Sequence, residues 1–139
     1  MSLIESYTID LKSAQRLVDH AVAEAEAQGL AVCVTVVDRA GHPLAFARMD
    51  GAALLCAQLS QDKAYTVAAF AGIATHDWWG NVSGRPDIVH GLGQQDRFSV
   101  IGGGVPLTVD SQLVGAVGVS GGSPEQDRSV AEAAANTMS

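Results

Sequence analysis

Three stretches of the chain carry apolar residues at the spacing of an α-helix. Residues 11–28 and residues 52–70 each place apolar side chains three and four positions apart, which puts them on one helix face. The third stretch, residues 124–137, starts with Pro124 directly after Ser123 and has a glutamine three positions after that serine, which is typical of a capped helix start. The pattern therefore predicts three helices.

Five shorter runs are rich in apolar and β-branched residues and are separated by turn residues. They cover residues 30–37, 43–49, 98–101, 105–109 and 113–120. Strands joined by short turns run antiparallel. We therefore predict an α+β fold in which the helices pack on one five-stranded antiparallel sheet. A single domain over residues 1–139 is long enough to bury a core.

Residues 71–97 follow neither pattern. This segment contains both tryptophans, Trp78 and Trp79, and two of the four histidines, His76 and His90. A long irregular segment in a compact domain is usually functional. We expect it to form short helical turns and to cover a ligand pocket, in which Trp79 forms a wall against an apolar or planar ligand.

Each of these two histidines is open to three interpretations. It could bind a metal or a haem iron, it could transfer protons or contact a substrate, or it could have only a structural or surface role. The spacing between His76 and His90 matches no metal-binding motif, so the sequence leaves the identity of any metal unknown.

Residues 100–122, here called the glycine-rich hairpin, hold two glycine clusters on either side of a short turn. Gly103 and Gly104 precede one strand, but no Lys-Ser/Thr pair follows them, so a phosphate-binding loop is not expected. Gly121 and Gly122 lead directly into the last helix, whose free N–H groups favour an anion such as a ligand carboxylate. The alternative is a sharp turn in which the capping serine satisfies those groups. We expect the hairpin to form the floor of the pocket.

Three cations are candidates for the ligand site. Lys63 lies on the apolar stripe of the second helix, where burying a charge is costly unless it is paired. Its ammonium could reach solvent, pair with Asp38 or Asp50, or face a ligand. Arg48 and Arg85 could bind a ligand carboxylate through paired N–H groups, or form local salt bridges instead.

The charge balance excludes some classes of partner. The chain has 8 basic and 15 acidic residues, a formal net charge of −7 with no basic stripe, so neither nucleic acid nor an anionic membrane is an expected partner. Cys33 and Cys56 lie in apolar runs and do not form a disulfide framework. The chain shows no signal peptide and no apolar run of about 20 residues, so we predict a cytoplasmic protein.

Several short motifs occur along the chain in a specific order. They are Val36-Val37-Asp38-Arg39-Ala40-Gly41-His42-Pro43-Leu44, Arg48-Met49-Asp50-Gly51-Ala52, Lys63-Ala64, Gly102-Gly103-Gly104-Val105-Pro106, Val114-Gly115-Ala116-Val117-Gly118-Val119-Ser120-Gly121-Gly122 and Gln126-Asp127. In this combination they closely resemble the GlcG/HbpS family, also described as haem-degrading or PduO C-terminal-domain-like proteins. The resemblance covers nearly the whole chain. It implies a profilin-like α-β-α sandwich and homo-oligomers, dimers or larger, and it implies haem as a cofactor because some members bind haem or its iron.

We weigh three functions. The first is a small-ligand-binding protein that resembles the haem-binding members, with a pocket between residues 72–97 and the glycine-rich hairpin. The second is a cofactor-independent isomerase or lyase acting on a small organic acid or cyclic compound, in which His76 or His90 transfers protons and Lys63 or Arg85 stabilises charge. The third is a non-catalytic oligomeric accessory protein.

Overall fold

A four-stranded antiparallel sheet with helices on both faces forms the structure, a computed structural model that describes residues 1–138. The strands are β1 (Cys33–Asp38), β2 (Pro43–Arg48), β3 (Gly104–Val109) and β4 (Gln112–Ser120). The helices are α1 (Leu11–Ala27), α2 (Leu54–Ala69), α3 (Trp78–Val82), α4 (Pro86–Gly93) and α5 (Pro124–Ala135). Short 3₁₀ turns cover Thr75–Asp77 and Asn136–Met138.

The two central strands, β1 and β4, come from opposite halves of the chain. The strand order is β2-β1-β4-β3, and every neighbouring pair is antiparallel. Val34 lies opposite Ala47 on β2 and opposite Val119 on β4. Each outer strand is joined to a central strand by a short turn, so the antiparallel sheet expected from the sequence is confirmed.

The prediction of a fifth strand over residues 98–101 is wrong, and the sheet has four strands. The backbone of this run finds hydrogen-bond partners in side chains instead. The Ser99 N–H donates to Thr66 Oγ1 on α2 at 2.9 Å, and the Ile101 N–H donates to Ser99 Oγ at 3.3 Å. A run of strand-like composition therefore lies against α2 without pairing with another strand.

Alternate residues of the central strands face opposite layers of helices, as the pleat of a strand requires. Val34 and Val119 belong to the core that α1 and α5 cover. Val37 and Ala116 pack with α2 on the other face. The layers therefore follow the order helix, sheet, helix, and the α+β class is confirmed.

A glycine allows α2 to lie close against β4. A Cβ placed on Gly118 would collide with the carbonyl oxygen of Ser60 and would lie 2.7 Å from the Ala64 nitrogen, both on the α2 backbone. No side chain fits between the two backbones at this point. The strand face that is nearly free of side chains is thus occupied by a helix of the same chain.

Residues 71–97 form short helical pieces, as expected. The 3₁₀ turn Thr75–Asp77 runs directly into α3, and Pro86 occupies the first position of α4. None of the side chains of α4 is buried. Among residues 1–138, no helix has both the length and the apolar character that crossing a bilayer requires.

Candidate functional site

An open groove of about 690 Å³ lies between the 72–97 segment and β3. We call it the His76 groove. It is lined by Gly72, Ile73, Ala74, His76, Asp77, Gly80, Asn81 and Pro106. Of these side chains only His76 and Asp77 are ionisable, so they carry any acid/base or metal-binding chemistry that the groove offers.

The imidazole of His76 is mostly buried and incompletely bonded. Its side chain is 18% exposed, and its Nδ1 atom is buried without a hydrogen-bond partner among the described residues. Its Nε2 atom lies 3.6 Å from Asp77 Oδ1, too far for a good hydrogen bond. The Asn81 amide donates to the Asp77 carbonyl oxygen at 2.8 Å and ties the 3₁₀ turn to α3. The groove therefore holds a histidine with unused bonding capacity in a fixed backbone.

Lys63, a predicted site residue, is buried beneath the glycine-rich hairpin rather than in the groove. Its Nζ donates to the Val119 carbonyl at 2.9 Å and to Asp127 Oδ2 at 3.1 Å. Its partner is therefore Asp127 and not Asp38 or Asp50, the two candidates from the sequence. Burial lowers the pKa of the Lys63 ammonium, although Asp127 acts in the opposite direction.

Gly103 and Gly104 pack against this lysine and its helix. A Cβ on Gly103 would lie 2.8 Å from Lys63 Nζ, and the φ of Gly103 is +130°, a conformation that favours glycine. The Gly104 N–H donates to Thr75 Oγ1 at 2.9 Å, which joins β3 to the 3₁₀ turn that carries His76. Gly103 and Gly104 therefore fix the start of β3 beside the groove. Pro106 is the residue of the glycine-rich hairpin that lines the groove.

The start of α5 satisfies its own N–H groups. The Ser123 hydroxyl accepts from the Gln126 N–H, and the Gln126 side chain accepts from the Ser123 N–H, which completes a capping box. The Gly122 N–H donates to Asp127 Oδ1 at 2.8 Å. Gly121 has a φ of +150° and lies against the backbone of residues 31–32. The protein's own side chains therefore already bond the N–H groups of Gly122, Ser123 and Gln126, which an anionic ligand would need at this helix start.

The other predicted site residues lie outside the His76 groove. Arg85 is exposed and donates to Asp87 through two hydrogen bonds of 2.8 and 3.1 Å, which lowers the pKa of Asp87. His90 is exposed on α4. Arg48 is exposed on β2, at the sheet edge opposite to β3. Trp79 is 56% exposed. The structure thus brings only His76 of these candidates into the groove.

Sequence reasoning missed the role of Trp78. Its ring packs edge-on against Phe70 at 4.6 Å and against Phe98 at 5.1 Å between ring centroids. It is 7% exposed, and its Nε1 donor has no partner among the described residues. The two tryptophans are adjacent in the sequence, but Trp78 is buried and Trp79 is exposed, because it is Trp78 that packs against Phe70 and Phe98.

Sequence reasoning also missed Asp127 as the partner of the buried lysine. The signal available was indirect: a lysine on an apolar stripe requires a partner, and Asp127 lies in the first turn of the capped helix. Across residues 1–138, no group of three or more histidine, cysteine or acidic side chains is arranged to hold a metal ion. A haem iron needs fewer protein ligands than such a site, because the porphyrin supplies the others.

The chain is similar to several known proteins. It is 36% identical over 134 residues to an uncharacterized 15.0 kDa protein from the dhaT-dhaS intergenic region of Citrobacter freundii, covering 95% of this chain and 93% of that protein. Its fold matches the crystal structure of Klebsiella pneumoniae protein ORFY with a TM-score of 0.89 and 33% identity, covering 99% of this chain and 95% of that one. It also matches a crystal structure of PduOC in complex with haem, with a TM-score of 0.82 and 32% identity, covering 93% and 94% of the two chains.

A sequence profile decides the family. The profile of the family described as "Haem degrading protein HbpS-like" matches residues 9–136, which include every helix and strand except the last part of the C-terminal 3₁₀ turn. This agrees with the resemblance found in the motifs, which was to GlcG, HbpS and the C-terminal domain of PduO. The chain therefore belongs to the HbpS-like family.

Proposed function

We propose that this protein binds haem and that the His76 groove holds it. The observation that carries the proposal is the imidazole of His76, which lines the groove, is 18% exposed and makes no close hydrogen bond within the described part of the chain: its Nε2 atom lies 3.6 Å from Asp77 Oδ1. Imidazole is the most familiar protein ligand of haem iron.

The size of the groove suits a cofactor, and its lining combines polar and apolar surface. Its volume of about 690 Å³ lies within the range of about 300–1,000 Å³ that is usual for small-molecule and cofactor sites. Gly72 and Gly80 expose backbone without side chains, and Ile73 and Pro106 add apolar surface. A planar macrocycle can therefore approach the backbone closely in this groove.

Asp77 would orient His76 once its carboxylate moves close enough to form a hydrogen bond. In metal sites, the second ring nitrogen of a histidine ligand usually bonds to a carboxylate or a carbonyl, which fixes the tautomer and the ring orientation. Asp77 is next to His76 in the chain, and its Oδ1 lies 3.6 Å from Nε2. Bound haem would supply an iron centre for redox chemistry or for binding small molecules, while His76 and Asp77 hold and orient it.

Two similarities support haem over other flat ligands. The PduOC structure that contains haem is 32% identical to this chain over 93% of its length. The family profile that matches residues 9–136 describes a haem-degrading protein. Binding of haem is the property that these two descriptions share.

The isomerase or lyase hypothesis has less support from the geometry. Lys63 is buried and bonded to Asp127, and Arg85 is bonded to Asp87, so both cations already have partners. His90 is exposed on α4 and does not line the groove. Acid/base chemistry in the groove would therefore rest on His76 and Asp77 alone.

The accessory-protein hypothesis requires self-association, which stays a separate prediction. Phe46, Leu54 and Leu55 are 45%, 89% and 74% exposed, and apolar surface of this kind is often covered by a partner. Light scattering at micromolar concentration tests it. If the protein is a monomer, the prediction of self-association is wrong, and the haem proposal is unaffected.

Titration with haemin, followed at the Soret band, tests haem binding. The wild-type protein should give a shifted band that saturates at a stoichiometric amount of haemin. His76→Ala should bind at least about tenfold more weakly, because the iron loses its protein ligand. His90→Ala is the matched control: it removes an exposed histidine of the same segment and should bind like the wild type.

Metal-free protoporphyrin separates the groove from the iron ligand. It has the same macrocycle without iron, so His76→Ala should bind it as the wild type does. If titration of the wild type with haemin gives no saturable Soret change, haem binding is contradicted. Equal haemin affinity in the wild type and His76→Ala would instead contradict the site assigned to it.

A further inference from the structure

A second groove, with a different lining, lies between α2 and the end of the 72–97 segment. Its volume is about 330 Å³, at the lower end of the range for small-molecule sites. We call it the aromatic groove. It is lined by Tyr65, Thr66, Ala69, Phe70, Leu92, Gln95, Asp96 and Phe98. None of these residues lines the His76 groove, so the two sites are distinct.

The apolar part of this groove is rigid. Phe70 and Phe98 pack edge-on against each other with ring centroids 6.0 Å apart, and both pack edge-on against the buried Trp78. Leu92 adds a half-buried aliphatic side chain. A small apolar body can therefore be received without rearrangement of the aromatic cluster.

The polar rim favours a cation. Asp96 is exposed, and its carboxylate makes no hydrogen bond or ion pair within residues 1–138. The negative faces of aromatic rings attract cations, and the chain as a whole carries a formal charge of −7. The Arg97 guanidinium already lies over the Tyr65 ring, so the group at this rim that is open to a further charged partner is the Asp96 carboxylate, which pairs with a cation.

Arg97 shows that this surface accepts a cation. Its guanidinium lies over the Tyr65 ring at 4.1 Å from the centroid, and its Nε lies 3.4 Å from Asp62 Oδ1. The φ of Arg97 is +67°, an uncommon conformation for a residue with a side chain. The Thr66 hydroxyl lies 3.0 Å from the Arg97 carbonyl and 2.8 Å from the Asp62 carbonyl, and these two acceptors share its one proton. The chain thus uses a strained residue to place one cation at the groove, while the carboxylate of Asp96 stays open.

We propose that the aromatic groove is a binding site for a small organic ammonium ion with an aromatic or aliphatic body. The body lies against Phe70, Phe98 and Leu92, and the ammonium pairs with Asp96. This inference does not depend on haem binding, because the two grooves share no lining residue.

Three probes of matched shape test the charge preference. They are phenethylamine, which is a cation at neutral pH, 2-phenylethanol, which is neutral, and phenylacetate, which is an anion. Calorimetric titration of the wild-type protein should show saturable binding of the amine at millimolar concentration. The alcohol should bind about fivefold more weakly, which corresponds to the upper end for one partly exposed ion pair. The anion should bind more weakly still.

Two substitutions and one spectroscopic signal locate the site. Asp96→Asn should weaken amine binding by about fivefold and leave alcohol binding unchanged. Asp19→Asn, which removes an exposed carboxylate on α1, is the control and should change neither. In a nitrogen–proton correlation spectrum, the amine should shift the indole N–H peak of Trp78. A Trp79→Phe variant identifies which of the two indole peaks that is.

The proposal is overturned if no saturable binding of the amine occurs at millimolar concentration. It is also overturned if phenylacetate or the alcohol binds as tightly as the amine, or if Asp96→Asn leaves amine affinity unchanged. Unchanged amine binding in His76→Ala is expected, since that substitution affects only the other groove.

Discussion

Lys63 and Asp127 form a buried ion pair in which Nζ lies 3.1 Å from Oδ2 and the two side chains are 1% and 3% exposed. The pair joins α2 to the first turn of α5, and the same ammonium bonds the Val119 carbonyl near the end of β4. Removing one member of such a pair leaves an uncompensated charge in the interior. The fold therefore depends on both residues together.

Asp127→Asn should lower the free energy of unfolding by about 3–5 kcal/mol, because the Lys63 ammonium stays buried without a counter-charge. If the asparagine oxygen keeps the hydrogen bond from the Gly122 N–H, its amide nitrogen faces the Lys63 ammonium, so the substitution removes a hydrogen-bond acceptor as well as the counter-charge. Urea unfolding followed by circular dichroism measures the effect. Asp87→Asn is the control: its ion pair with Arg85 is exposed, so its loss should cost less than about 1 kcal/mol.

The double variant Lys63→Met with Asp127→Asn should be more stable than Asp127→Asn alone. Methionine fills a similar volume and leaves no buried charge. If the stability lost in the double variant equals the sum of the losses in Lys63→Met and in Asp127→Asn, the two residues act independently and the proposed coupling is wrong.

The same pair predicts a pH dependence at alkaline pH. Burial lowers the pKa of Lys63 below its ordinary value of 10.5. Between the two pKa values the unfolded chain keeps a proton that the folded chain has lost, so the free energy of unfolding rises with pH across that window. The contribution is at most about 1.4 kcal/mol per pH unit. Urea unfolding of the wild type and of the double variant, from neutral pH up to pH 10.5, should give a more positive slope in the wild type, and the difference between the two slopes reports on Lys63. Equal slopes would show that the lysine keeps its ordinary pKa.

The close approach of α2 to β4 predicts opposite effects for two glycine substitutions. Gly118→Ala should destabilise the protein by about 1–3 kcal/mol, because its Cβ meets the backbone of Ser60 and Ala64 and not a flexible side chain. Gly91 lies inside α4 with open space around it, so Gly91→Ala should stabilise by about 0.5–1 kcal/mol. Thermal unfolding of both variants measures the contrast. A neutral Gly118→Ala would mean that α2 can move away from the sheet at little cost.

Much of the fold could be predicted from local patterns. The spacing of apolar residues predicted α1 and α2, and the sequence around Ser123 predicted the start of α5 to the residue. Residues 98–101 could not be predicted correctly, because whether an apolar run pairs with a strand depends on tertiary structure. There the Ser99 N–H bonds the Thr66 hydroxyl, a contact between residues 33 positions apart.

The site was less predictable than the fold. Residues 71–97 have no periodicity, so nothing in the sequence could tell that His76 faces a groove while His90 faces solvent. The place of Lys63 on an apolar stripe left open whether its ammonium reaches solvent, is paired or faces a ligand, and its partner lies 64 positions away on another helix. Side-chain environments in this segment are decided by packing against β3 and α2.

The position of β4 at the centre of the sheet constrains the order in which this protein can fold. Val34 and Val119 lie opposite each other although 85 positions separate them, so the central pairing closes a long loop. Contacts of this range form slowly, because the entropy of closure is lost before the contact contributes. The β1–β2 hairpin can form from local contacts, but the other edge of β1 stays unpaired until β4 is available. An intermediate that contains this hairpin without β4 therefore exposes a strand edge that can pair with another chain and lead to aggregation.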